Sequence, residues 1–94
     1  MVFIKEENRI YANDEEGRLI AEVTFPALGQ GVVDINRTFV DDSLRGQGVA
    51  AQLMESCYDM LKEDGRKAVP TCSYAVKWYG ERPEKNDIVE EIKK

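Results

Sequence analysis

The stretch Val40-Asp41-Asp42-Ser43-Leu44-Arg45-Gly46-Gln47-Gly48-Val49-Ala50 reads as a strand end, a glycine-containing turn and a helix start. The first N–H groups of a helix have no intrahelical partner and stand at the positive end of its dipole, so a junction of this kind is a place where anions bind. Gly46 and Gly48 put no Cβ between backbone and phosphate, and Arg45 adds a mobile cation. A nucleotide P-loop is excluded, because it needs Lys-Ser or Lys-Thr after its last glycine and Val49-Ala50 follow Gly48. The dinucleotide motif fits poorly too. Ala51 stands at its third glycine position, a tolerated replacement, but the acid required about 20 residues further on is missing, and Val69 and Pro70 stand there instead.

Working upstream, the spacing predicts a third strand from Val32 to Val40. Val33, Ile35, Arg37 and Phe39 share one face, and Val32, Asp34, Asn36, Thr38 and Val40 the other, so both faces are mixed, as beside a ligand. Ahead of it, Ile10 and Ala12 alternate with Arg9, Tyr11 and Asn13. A second alternating run goes through Leu19, Ala21, Val23 and Phe25, which makes a hairpin closed by Asp14-Glu15-Glu16-Gly17. Pro26 ends that strand, and Ala27 to Gly31 read as a loop.

Downstream, apolar residues fall at Val49/Ala50, Leu53/Met54, Cys57/Tyr58 and Met60/Leu61, steps of three and four that predict a helix from Gly48 to Asp64 with Gly65 as its left-handed stop. A strand from Lys67 to Cys72 follows, giving a βαβ unit with a parallel pair and right-handed crossover. Pro70 cannot donate to a ladder, which predicts an edge, bulge or splay there. Next come a helix from Ser73 to Tyr79, with Ser73 as N-cap and Gly80 as stop, and a last helix from Pro83. The latter carries Glu84 and Asp87 early and Lys93 and Lys94 late, matching the dipole.

Composition narrows the function. A chain of 94 residues buries only roughly 60–65% of its unfolded surface, and one domain over residues 1–94 is expected. The 18 acidic against 13 basic side chains give a net charge of −5, so no general field for a phosphate backbone exists and nucleic-acid binding is not expected. The longest apolar run is Met1-Val2-Phe3-Ile4, far short of the about 20 residues of a membrane span or the about 7–15 of a signal peptide. A cytoplasmic protein is expected. The chain has no histidine, which removes Cys/His zinc sites, imidazole triads and imidazole-bound redox metals, and leaves acid–base work to carboxylate, Tyr, Cys, water or substrate. Cys57 and Cys72 lie outside any C-x-x-C spacing, which fits a reducing compartment.

The segment Arg45-Gly46-Gln47-Gly48-Val49-Ala50 resembles the R/Q-x-x-G-x-G/A pyrophosphate loop of the GNAT superfamily of acetyl-CoA-dependent N-acetyltransferases, at the same strand-to-helix junction. Thr38-Phe39-Val40, Thr71-Cys72-Ser73-Tyr74, Trp78 and Arg82-Pro83-Glu84 extend the likeness over about residues 9 to 90, and the whole resembles the superfamily's small single-domain N-acetyltransferase subgroup. Two positions depart from it. Relatives often carry His immediately before Thr-x-Val, where Arg37 stands, so no role of that imidazole transfers. A proline usual two residues after the valine is Asp42, an extra negative charge beside the phosphate loop.

The resemblance implies an α/β (α+β) fold, a minimal acyl-CoA N-acyltransferase core in which an antiparallel meander of three strands leads into one βαβ crossover. It implies acetyl-CoA as the partner, held by Arg45, Gly46, Gln47, Gly48, Val49 and Ala50 at the pyrophosphate, by Phe39 and Val40 along the pantetheine, and by Cys72 and Lys77 near the thioester. The acceptor is an unidentified primary amine. Three residues are candidates for the chemistry: Asp34 or Tyr74 as the route for a proton, and Cys72 as a covalent alternative to direct attack. Cys72 reads equally as a small buried hydrophobe, Tyr74 and Lys77 as a half-exposed helix face, and Asp34 with Asn36 as a solvated sheet face. Cys57, Trp78 and Tyr79 read as packing. A coenzyme-binding or protein-interaction module with little turnover is the alternative function, and a thiol sensor acting through Cys72 a third.

Overall fold

The computed structural model describes residues 1–90. Strand β1 (Ile4–Glu6) turns back into β2 (Arg9–Asn13), which pairs antiparallel with β3 (Leu19–Thr24) in the register Ile10↔Val23 and Ala12↔Ala21. The expected hairpin is present, its turn held by the Asp14 carboxylate, which accepts from the N–H groups of Glu16 and Arg18. Strand β1 was not expected. All three of its residues are exposed, so it carries no alternation to read.

Ala27 to Gly31 is not a plain loop. Ala27–Gly29 forms β4, which pairs antiparallel with β5 (Val32–Ile35) around Gln30 and Gly31. The expected continuous third strand is also corrected: it breaks at Asn36 into β5 and β6 (Arg37–Val40). The Asn36 N–H donates to the Thr24 carbonyl at 3.3 Å while Arg37 is the register partner of the same Thr24. Two residues therefore oppose one, which is a bulge and inverts the side-chain parity of everything after it. In β5 the inward residues are Val33 and Ile35, both buried. In β6 they are Thr38 and Val40, which sit opposite the buried Val23 and Ala21. Arg37 and Phe39 thus do not share a face with Val33 and Ile35, and the mixed faces of the sequence come from the bulge.

The break sends the two halves into different sheets. One has the order β1-β2-β3-β6, the other β4-β5-β7, where β7 is Lys67–Pro70. Strands β5 and β7 are parallel from Val32↔Lys67 to Ile35↔Pro70, joined by helix α1 (Val49–Asp64) in the expected βαβ arrangement. After Pro70 the paths part, as the missing N–H suggested. The next two N–H groups, of Thr71 and Cys72, both donate to the Ile35 carbonyl.

Helix α1 lies on the inner face with Leu53, Met54, Cys57 and Leu61 fully buried against Ile10, Ala21, Val23 and Phe25. Each such side chain contributes about 1.5–3 kcal/mol of burial. Helix α2 (Ser73–Gly80) inserts Ala75, Trp78 and Tyr79 into the same core. Its N-cap is Cys72 rather than the expected Ser73: the Cys72 sulfur accepts from the Ala75 N–H at 3.4 Å. The segment from Pro83 is a 3-10 helix to Ile88, not an α-helix. It is tied to α1 by Asp87, which accepts from the Tyr58 hydroxyl and pairs with Lys62 at 2.8 Å. Lys93 and Lys94, expected at its end, lie outside the described residues.

Candidate functional site

The aspartates, glycines and helix start that the sequence marks as a candidate anion site meet where β6 ends. Asp41 caps a 3-10 turn (Asp42–Leu44), accepting from the N–H and hydroxyl of Ser43, and those bonds hold its pKa below the usual carboxylate range. The turn delivers the backbone to Gly46 and Gly48, both in the left-handed region at φ +81° and +71°. Gly48 is the N-cap of α1 and brings no side-chain cap. The first helical bond runs from the Gln52 N–H to the Gly48 carbonyl, so Val49, Ala50 and Ala51 point their N–H groups out of the helix end. A Cβ on Gly46 or Gly48 would meet no protein atom within 4 Å. The loop therefore opens onto free space at the positive end of a 16-residue helix. Val49 buries its side chain and offers only its backbone.

Arg45 is mostly exposed, but its guanidinium is occupied: Nη2 lies 2.9 Å from the Asp42 carboxylate. The charge pattern of the sequence, opposite signs three residues apart, carried that signal, and the expectation of a mobile cation overlooked it.

Among the described residues strand β6 is an edge strand, with β3 on one side only. Asp41 donates its N–H to the Ile20 carbonyl, so Ala21↔Val40 is a pair without mutual hydrogen bonds and Phe39 faces its peptide groups toward β3. Thr38 and Val40 consequently turn theirs to the open edge. Of the two residues expected along a pantetheine, Val40 has free backbone groups; Phe39 does not, and its ring lies on the outer face under Arg37. Thr38, quoted with the strand motif but not among the residues expected at the coenzyme, is the other residue with an open edge. Its hydroxyl lies 3.5 Å from the Cys72 sulfur across the base of the splay.

The candidate catalytic residues are not gathered into one cluster. Asp34 accepts a hydrogen bond from the Thr71 hydroxyl, and Asn36 one from Thr24. Tyr74 packs partly against the core, and burial pushes its hydroxyl pKa up, away from a role as base. Lys77 is exposed on α2. Cys57 is fully buried, and burial pushes its thiol pKa up to about 12. The N–H groups of Thr71 and Cys72 are spent on Ile35, so the splay does not leave them free to polarise a carbonyl. Among the described residues no cluster of His, Cys, Asp or Glu is suited to a metal, and no helix is long and apolar enough to cross a membrane.

Comparison with known proteins bears on this geometry. Residues 9–88 match the family model of the GCN5-related N-acetyl-transferases. The chain is 35% identical over 63 residues to protein NATD1 of mouse and of chicken, a match that covers 67% of this chain and 57% of the relative. It thus spans little more than half the length of those relatives. A GCN5-like candidate N-acetyltransferase from Staphylococcus aureus, solved by NMR, superposes with a TM-score of 0.79 at 26% identity over 98% of this chain and 90% of its own. The N-acetyltransferase YhbS of Escherichia coli, crystallised with CoA, gives a TM-score of 0.61 at 31% identity over 73% of this chain and 42% of its own.

Proposed function

The chain belongs to the GCN5-related N-acetyltransferase family, and we propose that it acts in the cytoplasm as one domain over residues 1–94, binding acetyl-CoA and transferring the acetyl group to a primary amine. One observation carries this reading: an uncapped helix N-terminus with left-handed glycines stands at the end of an unpaired strand edge. A diphosphate and a diamide chain need those two features side by side. In this reading the Val49, Ala50 and Ala51 N–H groups, with Gly46, Gln47 and Gly48, hold the pyrophosphate. The Thr38 and Val40 peptide groups take the pantetheine amides as an added strand. The thioester comes to rest at the splay between Thr38 and Cys72, with Lys77 on the helix above.

Transfer then needs mainly orientation. The neutral amine attacks the thioester carbonyl carbon, the C–S bond breaks, and the thiolate leaves with the proton that nitrogen gives up. Cys72 is already acceptor for Ala75 and neighbour to Thr38, which favours direct attack over a covalent route. Cys72→Ala should keep coenzyme binding and most transfer. An acetyl group that appears rapidly on Cys72 and is discharged by amine would establish the covalent route instead.

Acetyl-CoA at about 100 times its Kd should add about 2.7 kcal/mol of stability, which in a domain of this size raises Tm by on the order of 10 °C. ATP and NAD should do much less. No shift at millimolar acetyl-CoA removes the proposal. A second reading, a coenzyme-binding module with little turnover, is favoured by the engagement of Asp34 with Thr71 and the raised pKa of Tyr74, which leave no ready base. Product formation with a panel of amines separates the two.

The Asp42–Arg45 pair sets a further expectation. The carboxylate competes with phosphate for the guanidinium, and both partners are largely exposed. Exposed pairs are worth about 0–1 kcal/mol, so Asp42→Asn should tighten acetyl-CoA binding by up to about fivefold. Unchanged or weaker binding by calorimetry would show that Arg45 does not reach the phosphates.

A further inference from the structure

Strand β1 closes the four-stranded sheet, with β2 on one side and, among the described residues, no strand on the other. Such an edge presents unpaired N–H and C=O groups, and natural proteins blunt it with proline, a bulge, charges or a covering element. Little of that is found here. Residues 1–6 contain no proline, β1 pairs with β2 without a shift from Ile4↔Tyr11 to Glu6↔Arg9, and the first charged side chain is Lys5. Apolar side chains line the edge instead: Met1, Val2 and Ile4 are exposed by 59%, 83% and 43%, three of the five large apolar residues exposed among those described. Residues 91–94 follow Glu90 on the side of β7 away from β5. Four residues span at most about 14 Å, and the four strand steps from β7 to β1 measure about 19 Å.

Side-chain alternation and charge restrict how two such edges can meet. Ile4 stands opposite Tyr11 on the face turned away from α1, Phe3 packs partly against the core, and Val2 is exposed again, so the alternation continues ahead of the paired residues. A two-fold axis perpendicular to the sheet sets β1 antiparallel to β1 of a second copy and keeps the faces, so residues of like parity are opposed. With Lys5 on the axis, two lysines would face each other. With Ile4 on the axis, Val2 would face Glu6. With Phe3 on the axis, Val2 faces Ile4 of the second copy beside Tyr11, the two Phe3 rings meet on the core side, and Lys5 faces Met1. Only this last register opposes no like charges and sets apolar residues against one another.

We propose that this edge docks a second copy of the chain, β1 against β1 with Phe3 at the two-fold, joining two four-stranded sheets into one of eight. Backbone groups pair across the axis, and Val2 and Ile4 leave water together. Assembly stops at two copies, because the two-fold uses each edge once. The proposal is independent of the acetyltransferase reading: β6 is the strand at the other end of the same sheet, so the proposed coenzyme edges of both copies stay open. Five residues a side are fewer than the about 20–30 of a standard interface, which puts the dimer Kd on the order of 100 µM. Each copy carries a net charge of −5, so the two repel at long range while the contact itself is apolar, and added salt tightens the dimer.

Sedimentation equilibrium between about 10 µM and about 1 mM protein should show the 10.7 kDa monomer passing into a dimer of twice that mass. The dimer should be tighter at about 300 mM salt than at about 20 mM. Amide shifts that change with protein concentration should centre on residues 2–6, and in a mixture of labelled and unlabelled protein the Val2 methyl groups should contact Ile4 of the other copy. Val2→Asp and Ile4→Lys, which add charges of opposite sign at exposed positions, should each weaken the dimer at least tenfold and leave acetyl-CoA affinity unchanged. Val2 lies outside the paired strand, so that variant keeps the fold should Ile4→Lys loosen it. A protein still monomeric at about 1 mM, a dimer indifferent to both variants or loosened by salt, concentration-dependent shifts centred elsewhere, or growth beyond two copies would overturn the proposal. Capture of an extended peptide by an edge that stays monomeric would overturn the second copy as its occupant. A dimer that ignores acetyl-CoA would sustain the docking edge and defeat the acetyltransferase reading, and a monomer that binds acetyl-CoA would do the reverse.

Discussion

Gly48→Ala is expected to weaken acetyl-CoA binding by more than tenfold, whereas Gly65→Ala leaves it unchanged. The two glycines flank the same helix with nearly the same backbone, φ 71° and ψ 20° at Gly48 against φ 70° and ψ 21° at Gly65. A Cβ meets nothing within 4 Å at either. Both substitutions therefore carry the same left-handed strain, about 1–2 kcal/mol, and should lower the urea midpoint alike. They differ in what stands outside. Gly65 closes the C-terminal end, where its N–H serves the Leu61 and Lys62 carbonyls. Gly48 borders the three unpaired N–H groups, and a methyl group there occupies the approach of a phosphate. A tenfold loss corresponds to about 1.4 kcal/mol, on the order of one charge-assisted hydrogen bond. Calorimetric titration of both variants checks it, and equal losses of affinity would mean that the loop only shapes the fold.

The glycine turn at Gly46–Gly48 and α1 were legible in the sequence because each is local: glycine spacing marks the turn, and a 3.6-residue stripe between two glycines marks the helix. The break at Asn36 was not. A bulge adds one residue without changing composition, so Val32 to Val40 reads as a single strand whose faces are oddly mixed. The short strands Ile4–Glu6 and Ala27–Gly29 are exposed throughout and exist only because a neighbour supplies their hydrogen bonds. The N-cap at Cys72 went to Ser73 on propensity, since sulfur is a weak acceptor and becomes a cap only where Ala75 and Thr38 enclose it. Candidate site residues fared according to the same distinction. Residues 46–50 form a turn and a helix start and Val40 lies on an edge strand, whereas Asp34 and Tyr74 answer to partners distant in sequence.

Glu22→Ala is expected to cost the fold about 2–3 kcal/mol, lowering Tm by on the order of 10 °C. Glu22 is the one buried charged side chain among the described residues, and it lies on the sheet face turned away from α1. Its two oxygens are each taken by an arginine, Arg9 Nε from β2 and Arg37 Nη1 from β6. Arg9 also lies over the Tyr11 ring at 3.7 Å and Arg37 over Phe39 at 5.6 Å. One carboxylate thus fastens three strands, and β6, whose free edge is the proposed place of the pantetheine, is held to the sheet partly through it. Removing the carboxylate leaves two guanidinium groups facing each other across an emptied site. Removing one arginine leaves Glu22 with the other. Arg37 is more than half exposed, so Arg37→Ala should cost no more than about 1 kcal/mol. Glu22→Gln, which keeps the shape and one good acceptor, should fall between. Coenzyme affinity is expected to drop in the same order, since a looser β6 must be ordered again when the pantetheine pairs with it. Thermal melts of the three variants test the arrangement: a Glu22→Ala protein that melts no lower than Arg37→Ala would show that the arginines merely rest on the surface and that β6 is held by its backbone pairing with β3 alone.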